Sequence, residues 1–263
     1  MPAGSSLRAV PLWLGAVAGV LSGLLGIGGG LVIGPALALR GVELPRATGT
    51  ALAVVLPVAC VAVLTESLHA PQQLHLFIAL SLAVGGQIGA PLGSAILKRL
   101  PAGGLRLVFI LLLLYAAARN SGLWGELPGA PVGSTPVLDQ LDYAIVALLG
   151  IAAGVSAVLF GVGGGVVVVP GLVLLLEGMP MRDAMATSLL AMIPTVAAGL
   201  RLAMQQGRVV QGSLPRVLLP ALFGAMAGVL LRNEAIPTTQ LGQAFAAFLL
   251  LIAWRLARPA RPT

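Results

Sequence analysis

The chain has 263 residues, of which 58% are hydrophobic and only 9% are charged. Soluble domains carry about 25% charged residues, so this composition excludes an ordinary water-soluble protein and favours one that is surrounded by lipid. The net charge of +7 comes from 15 Lys and Arg against 8 Asp and Glu, and these cations lie almost entirely between the apolar segments. Because no basic stripe with interleaved aromatic residues is present, we expect no nucleic-acid partner.

Long apolar segments occupy most of the chain, at residues 9–39, 47–66, 74–97, 104–118, 142–176, 184–200, 213–231 and 238–254. A helix needs about 20 residues to cross the hydrocarbon core, so most segments fit one helix each. The first and the fifth are longer, and glycines interrupt both near the middle. No segment carries an Asp, Glu, Lys or Arg away from its ends. The Gly- and Pro-rich segment 119–141 is hydrophilic and typical of a linker.

The two interrupted segments resemble each other. Residues 19–30 and 154–165 are identical at seven of twelve positions, and Pro35 matches Pro170 at the same offset of 135. Ordered matches that extend through both halves of a chain indicate duplication. The later pairs are Gly41 and Gly178, Thr50 and Thr187, Leu52 and Leu189, Pro57 and Pro194, Gly89 and Gly224, and Gly93 and Gly228.

The positions of the cations favour one topology. If each interrupted segment crosses the membrane once as a kinked helix, the loops divide the fifteen cations eight to seven. If each segment is a hairpin that returns to the face it entered, the division is twelve to three. Cytoplasmic loops are rich in Lys and Arg, so we expect the hairpin. The twelve are Arg8, Arg40, Arg46, Lys98, Arg99, Arg106, Arg201, Arg208, Arg216, Arg255, Arg258 and Arg261; the three are Arg119, Arg182 and Arg232.

This topology predicts an all-α polytopic membrane protein with two homologous halves in inverted orientation. Residues 9–119 and 142–257 form the two transmembrane repeats, each with a glycine-broken helix hairpin followed by three spanning helices. The tails 1–8 and 258–263 are then cytoplasmic, and the linker 120–141 is extracytoplasmic.

The glycine runs Gly28–Gly30 and Gly163–Gly165 match neither GxGxxG nor a P-loop, so they do not predict a nucleotide site. Glycines four apart, such as Gly89 and Gly93, favour close helix packing. Three in a row are different, because each weakens a helix by roughly 1 kcal/mol relative to Ala. Broken backbone at membrane depth is buried in protein or lines a cavity. The helix that restarts after the break has free N–H groups, which bind an anion without a charged side chain.

Hydroxyl groups recur at Thr50 and at Thr187-Ser188, inside apolar segments of both halves. They are candidates to donate to the same anion; the alternative is that each hydroxyl bonds a carbonyl of its own helix. The predicted substrate-binding residues are Gly28, Gly29, Gly30, Thr50, Gly163, Gly164, Gly165, Thr187 and Ser188.

Catalytic or metal-binding groups are scarce. His69, His75 and Glu66 lie close together in sequence, but they share no helix face, so we interpret them as solvated loop residues. We therefore expect no catalytic residue, no metal site and no cofactor. The apolar segments show no buried carboxylate for a coupling proton or Na⁺, although Asp183 and Glu177 lie near the mouth of the second half.

Three motifs occur once in each half: a G-x-G-G-G break with a following proline, an A-x-x-T-[SA]-L segment and a G-x-x-x-G helix. They lie at Gly26–Gly30 with Pro35, Ala47–Leu52 and Gly89–Gly93, and at Gly161–Gly165 with Pro170, Ala184–Leu189 and Gly224–Gly228. In these motifs the chain resembles the TauE/SafE sulfite exporter family over roughly residues 10–255. The resemblance implies a permease for sulfite, sulfonates or related small anions in a bacterial inner membrane. The first half departs from the second at Ala51, where Ser188 has no hydroxyl counterpart.

The leading hypothesis is therefore a multi-pass permease or exporter for a small oxyanion, bound at the midplane by the N-termini of broken helices. A passive anion channel is the alternative within transport, and a membrane-embedded enzyme is the alternative from another class. The expected partners are a small anionic substrate and the lipid bilayer, with a proton or sodium as the possible coupling ion. The oligomeric state stays open.

Overall fold

The structure is a computed structural model that describes residues 11–38, 40–97, 107, 110–111, 114, 117–118, 138–176, 179–210 and 214–257. In these residues all regular structure is helical. The helices are α1 Leu12–Leu25, α2 Gly30–Ala38, α3 Leu44–His69, α4 Leu76–Leu97, α5 Gln140–Phe160, α6 Gly165–Leu175, α7 Met181–Gln205, α8 Leu214–Glu234 and α9 Thr238–Ala257, with a 3₁₀ turn at Pro71–Gln73. Both predicted tails, Glu177 and most of the predicted span 104–118 and of the linker 120–141 lie outside the described residues.

Five of the described helices, α3, α4, α5, α7 and α8, are long and apolar enough to cross a membrane. Helix α9 has a shorter apolar stretch, Gln240–Leu251. Large apolar side chains also cover the outer surface: Phe77 is 72% exposed and Phe223 is 67% exposed. A surface of this kind is stable in lipid rather than in water. The chain is a multi-pass, all-helical membrane protein, as the composition predicts.

Each interrupted segment forms a hairpin. Helices α1 and α5 end at Gly26 and Gly161, which both have a φ of 68°, a left-handed conformation that glycine adopts without strain. After the second break the chain returns along the first arm. A Cβ placed on Gly164 would lie 2.9 Å from the Ala153 carbonyl oxygen, and one on Gly171 would lie 2.5 Å from the Leu149 side chain. The second arm is thus antiparallel to the first, which confirms the predicted hairpin.

The helices of the two halves exchange partners. Helix α1 of the first half packs most extensively on α8 of the second, and α5 of the second half packs on α4 of the first. Glycines line both contacts: a Cβ on Gly19 would overlap the Ala221 carbonyl, and one on Gly89 would overlap the Ile151 carbonyl. The predicted close-packing role of these spaced glycines is confirmed, since any larger residue would separate the backbones.

The matched helices α3 and α7 cross at the centre and run antiparallel. Near the start of α3, Gly49 lies beside Ala203, near the end of α7. Further along α3, Leu52 lies beside Gly199, and Val55 packs with Met192 and Val196. Equivalent helices that run in opposite directions are related by an axis perpendicular to both.

Candidate functional site

The two glycine breaks meet at the centre of the described bundle. A Cβ on Gly30 would overlap the Gly161 carbonyl, and a Cβ on Gly165 would overlap the Gly26 carbonyl. Each restarting helix therefore begins against the end of the other half's first helix. The backbone bends needed for this contact place Gly28, Gly29, Gly163 and Gly164 at positive φ as well, a region that disfavours any residue with a Cβ.

The structure shows no acceptor for several N–H groups of the breaks within the described ranges. Among the described residues, no hydrogen bond is donated by the N–H of Gly28, Gly29, Gly163 or Gly164. The carbonyls of Gly29 and Gly164 instead start the next helices by accepting from Ile33 and Val168, at 3.4 and 3.1 Å. The breaks thus present backbone donors at two helix N-termini, where the helix dipole also favours negative charge.

Apolar side chains fill the space between the breaks. A Cβ on Gly28 would lie 2.5 Å from Met192 Sδ and 2.9 Å from Val55 Cγ1. The equivalent point on Gly163 meets the same two side chains, at 2.6 and 3.0 Å. Val55 and Met192 are matched residues near the middles of α3 and α7. The described conformation is therefore closed between the breaks.

Of the three predicted hydroxyl residues, Ser188 reaches a break. Its hydroxyl donates to the Gly26 carbonyl at 3.2 Å. Because its counterpart in the first half is Ala51, Gly161 receives no equivalent bond. The Ser188 hydroxyl therefore makes the two breaks chemically unequal.

The Thr50 hydroxyl bonds the backbone of the loop that precedes α8. It donates to the Arg46 carbonyl at 2.7 Å and accepts from the Val210 N–H at 3.0 Å. The first bond is the within-helix bond that the alternative interpretation predicts. A small cavity between α1, α2, α3 and α8 also borders Thr50, and the rest of its lining is apolar.

Thr187 on α7 accepts a matching bond from a loop of the first half, but its hydroxyl donates to that loop rather than to its own helix. Its hydroxyl donates to the Gln73 carbonyl and accepts from the His75 N–H, both at 3.2 Å. The two threonines therefore hold equivalent loops at opposite ends of the bundle. Both hydroxyls donate to backbone carbonyls, as Ser188 does to Gly26, so the glycine N–H groups are the better placed anion ligands.

Buried charges lie at one end of the bundle, contrary to the prediction that no carboxylate is buried. Glu66 and Arg232 are both fully buried and form an ion pair, and Asn233 donates to the two Glu66 oxygens at 3.2 and 3.3 Å. Glu66 is the last residue of one apolar segment, and Arg232 follows the end of another. Each is at a segment boundary, so hydropathy alone does not show that they face each other.

A second buried pair joins His75 and Asp183. Their Nε2 and Oδ2 atoms are 3.0 Å apart, and both side chains are buried. The interpretation of the histidines as solvated loop residues is therefore wrong for His75, which is buried, while His69 is exposed but is the last residue of α3. The partners are separated by 108 positions, and no sequence motif connects them.

Two hairpins whose glycine breaks meet inside a bundle of membrane-crossing helices define a multi-pass membrane protein with the architecture of a transporter. The chain belongs to the sulfite exporter TauE/SafE family, whose model matches residues 2–120 and 146–263. This match confirms the resemblance seen in the motifs and identifies the protein as a member of a family of membrane exporters. No curated protein and no solved structure matches the chain.

Proposed function

We propose that the protein is a permease that carries a small oxyanion, such as sulfite or an organosulfonate, across a bacterial inner membrane. The anion binds where the two glycine breaks meet. One observation carries this proposal: two helix N-termini, at Gly30 and Gly165, converge with backbone N–H groups that have no protein acceptor in the described part of the chain.

Backbone donors suit the transport of an anion because they bind it weakly. A Lys or Arg at the bilayer centre would cost about 2.5–3.5 kcal/mol on insertion scales, whereas helix N-termini carry partial charge at no such cost. Each contributes up to about 2 kcal/mol in a partly buried geometry. Two ends therefore support reversible binding rather than trapping. Gly28–Gly30 and Gly163–Gly165 supply the donors, and the Ser188 hydroxyl, which donates to the Gly26 carbonyl, lies beside the first break.

We further propose that the halves are inverted in the membrane, with both termini cytoplasmic and the linker 120–141 outside. The antiparallel course of α3 and α7 supports this, because both helices are long enough to span. The cation count supports it too. Of the three cations assigned to the outer face, Arg232 is paired with Glu66 and Arg182 donates to the Ile236 carbonyl at 2.5 Å.

Transport requires the closed space between the breaks to open. Met192 and Val55 belong to the two antiparallel helices, so a change in the crossing of α3 and α7 would withdraw both side chains together. Met is unbranched and adopts several rotamers at low cost. We therefore assign Met192 and Val55 the role of an apolar gate that separates the two aqueous sides.

Flux into proteoliposomes tests the proposal. Purified protein is reconstituted, and uptake of thiosulfate, sulfite and isethionate is compared with uptake into protein-free liposomes, which corrects for diffusion of neutral sulfur dioxide. We expect saturable, protein-dependent uptake of at least one of these anions, inhibited by the others. Uptake that equals the protein-free level for all three would contradict the proposal.

A passive anion channel is the second candidate, because the breaks carry no ionisable side chain. Counterflow separates it from a carrier: unlabelled anion inside the vesicles accelerates uptake of labelled anion through an alternating-access carrier and does not accelerate it through a channel. We expect acceleration, since Met192 and Val55 fill the space between the breaks in the described conformation. We propose no enzymatic activity for the chain.

A further inference from the structure

We propose that the buried His75–Asp183 pair is a proton-binding site and that a proton bound there crosses the membrane in the same direction as the anion. The inference rests on the proposed anion transport and specifies its coupling ion. It starts from a cluster that the anion site does not use: ionisable side chains from α3, α7, α8 and the loop before α4, buried together at one end of the bundle.

Among the described residues, the cluster contains two carboxylates, Glu66 on α3 and Asp183 on α7, and two guanidinium groups, Arg232 on α8 and Arg182 on α7. A proton on His75 adds one positive charge to this cluster. Gln73 in the 3₁₀ turn donates to Asn233 at 3.3 Å. Two further titratable groups described at these helix ends, His69 and Glu234, are exposed.

The chemistry of the cluster favours a proton over Na⁺ as the coupling ion. Alkali and alkaline-earth cations prefer a shell of oxygen ligands. Here nitrogen groups already face the carboxylates: Arg232 and Asn233 donate to Glu66, and the imidazole of His75 faces Asp183. The imidazole of a histidine facing a carboxylate instead has a nitrogen that can accept a proton.

Helix α7 connects this pair to the anion site. Asp183 is two residues, about 3 Å along the helix axis, from Met185, whose backbone lies against Gly26. One turn later Ser188 donates to the Gly26 carbonyl. A proton on His75 adds positive charge near the first break and thereby favours an anion there. By thermodynamic reciprocity, the bound anion favours the proton, which is the requirement for symport.

The equivalent position in the other half cannot bind a proton in this way. The residue that matches His75 is Val210, and the residue that matches Asp183 is Arg46. The loop there is still held by a threonine, Thr50, so the fold needs the hydroxyl contact but not the ionisable pair. Burial lowers the pKa of the neighbouring Arg208, yet an arginine stays charged and exchanges no proton. The threonine contact is therefore sufficient to hold such a loop, and the His75–Asp183 pair is not required for that purpose.

Proteoliposome transport of thiosulfate tests the inference, because this anion keeps its charge across the physiological pH range. The membrane potential is clamped at zero with potassium and valinomycin. We expect a wild-type gradient of one pH unit, acid outside, to accumulate thiosulfate about tenfold, since that gradient is worth about 1.4 kcal/mol. His75→Gln and Asp183→Asn should abolish accumulation but retain counterflow. Gln73→Met removes a polar contact of the same turn without removing a titratable group, and it should retain both.

The possible failures point to different parts of the account. Wild-type counterflow without any response to the proton gradient overturns the inference and leaves the proposed function standing. Absence of both activities overturns both. If the variants lose counterflow because they misfold, proton uptake by detergent-solubilised wild-type protein decides the matter: thiosulfate should cause uptake of about one proton per bound anion, and no uptake overturns the inference.

Discussion

The side chain of Met192 lies at the point where the two breaks come closest, and it touches the backbone of both halves. If it is a gate, shortening it should open the path. We predict that Met192→Ala raises thiosulfate flux several-fold, at a cost in stability of about 2–5 kcal/mol for the cavity it leaves. Proteoliposome flux and thermal unfolding measure the two effects.

Met204→Ala is the matched control, because Met204 lies on the same helix but is 57% exposed. It should change neither flux nor stability. If Met192→Ala protein is monodisperse and its flux is unchanged or lower, Met192 is not the gate.

Two glycines of α2 allow a test of the contact between the breaks. A Cβ on Gly30 would overlap the Gly161 carbonyl, whereas a Cβ on Gly34 has its nearest neighbour at 3.5 Å, an ordinary contact. We predict that Gly30→Ala abolishes transport and lowers the unfolding temperature, since overpacking costs about 1–3 kcal/mol. Gly34→Ala should behave like the wild type in both assays. If the two variants have equal transport activity and equal unfolding temperatures, the close contact between the breaks is not required for transport or stability.

At the scale of elements, hydropathy predicts which segments are helices but not where each one ends. The segment predicted at 47–66 is the helix Leu44–His69, because polar residues at its ends continue the helix beyond the apolar core. Hydropathy also fails to predict the buried charges. Glu66 and Arg232 lie at the ends of apolar segments, so their pairing becomes evident only from the packing of α3 against α8. The pair between His75 and Asp183 depends on a loop that docks across halves, which local sequence does not encode.

The hairpins, in contrast, follow from the sequence. Gly26 and Gly161 are the left-handed ends of their helices, and three further glycines in each break allow the chain to reverse within the membrane. The cation distribution adds independent support for reversal. The anion site itself stays a prediction: the breaks converge, whereas Thr50 and Thr187 bond loop backbone and, of the three predicted hydroxyl residues, Ser188 reaches a break.

The glycine faces that join the halves give a prediction about helix pairing. Gly89 on α4 packs against Ile151 on α5 so closely that a Cβ would overlap the carbonyl. We predict that Gly89→Leu separates these helices and lowers the yield of monodisperse protein, as measured by size-exclusion chromatography. Leu92→Ala is the control on the same helix, because Leu92 is exposed; it should leave the yield unchanged. A normal yield for Gly89→Leu would contradict the packing described here.

At the scale of the whole molecule, the proposed inversion would place equivalent loops on opposite sides of the membrane. Gln72 and Gly207 are matched residues in exposed loops. Gly207 has a positive φ, which a cysteine would disfavour. Gln205, two residues earlier and also exposed, is therefore the better site for a cysteine. In a Cys60→Ala background, we predict that Gln72→Cys is labelled by an impermeant maleimide in intact cells. Gln205→Cys should be labelled only after the membrane is opened. Labelling of both from the same side would exclude inverted halves.

The central claim is that an oxyanion binds between the glycine breaks, and anomalous diffraction with selenite, a heavier analogue of sulfite, tests it most directly. Data collected from crystals grown with selenite would show where the selenium lies. The account predicts a peak within hydrogen-bonding distance, about 3 Å, of the N–H groups of Gly28–Gly30 and Gly163–Gly165. A protein that transports selenite but shows its only selenium peak elsewhere, for example beside Arg232, would contradict it.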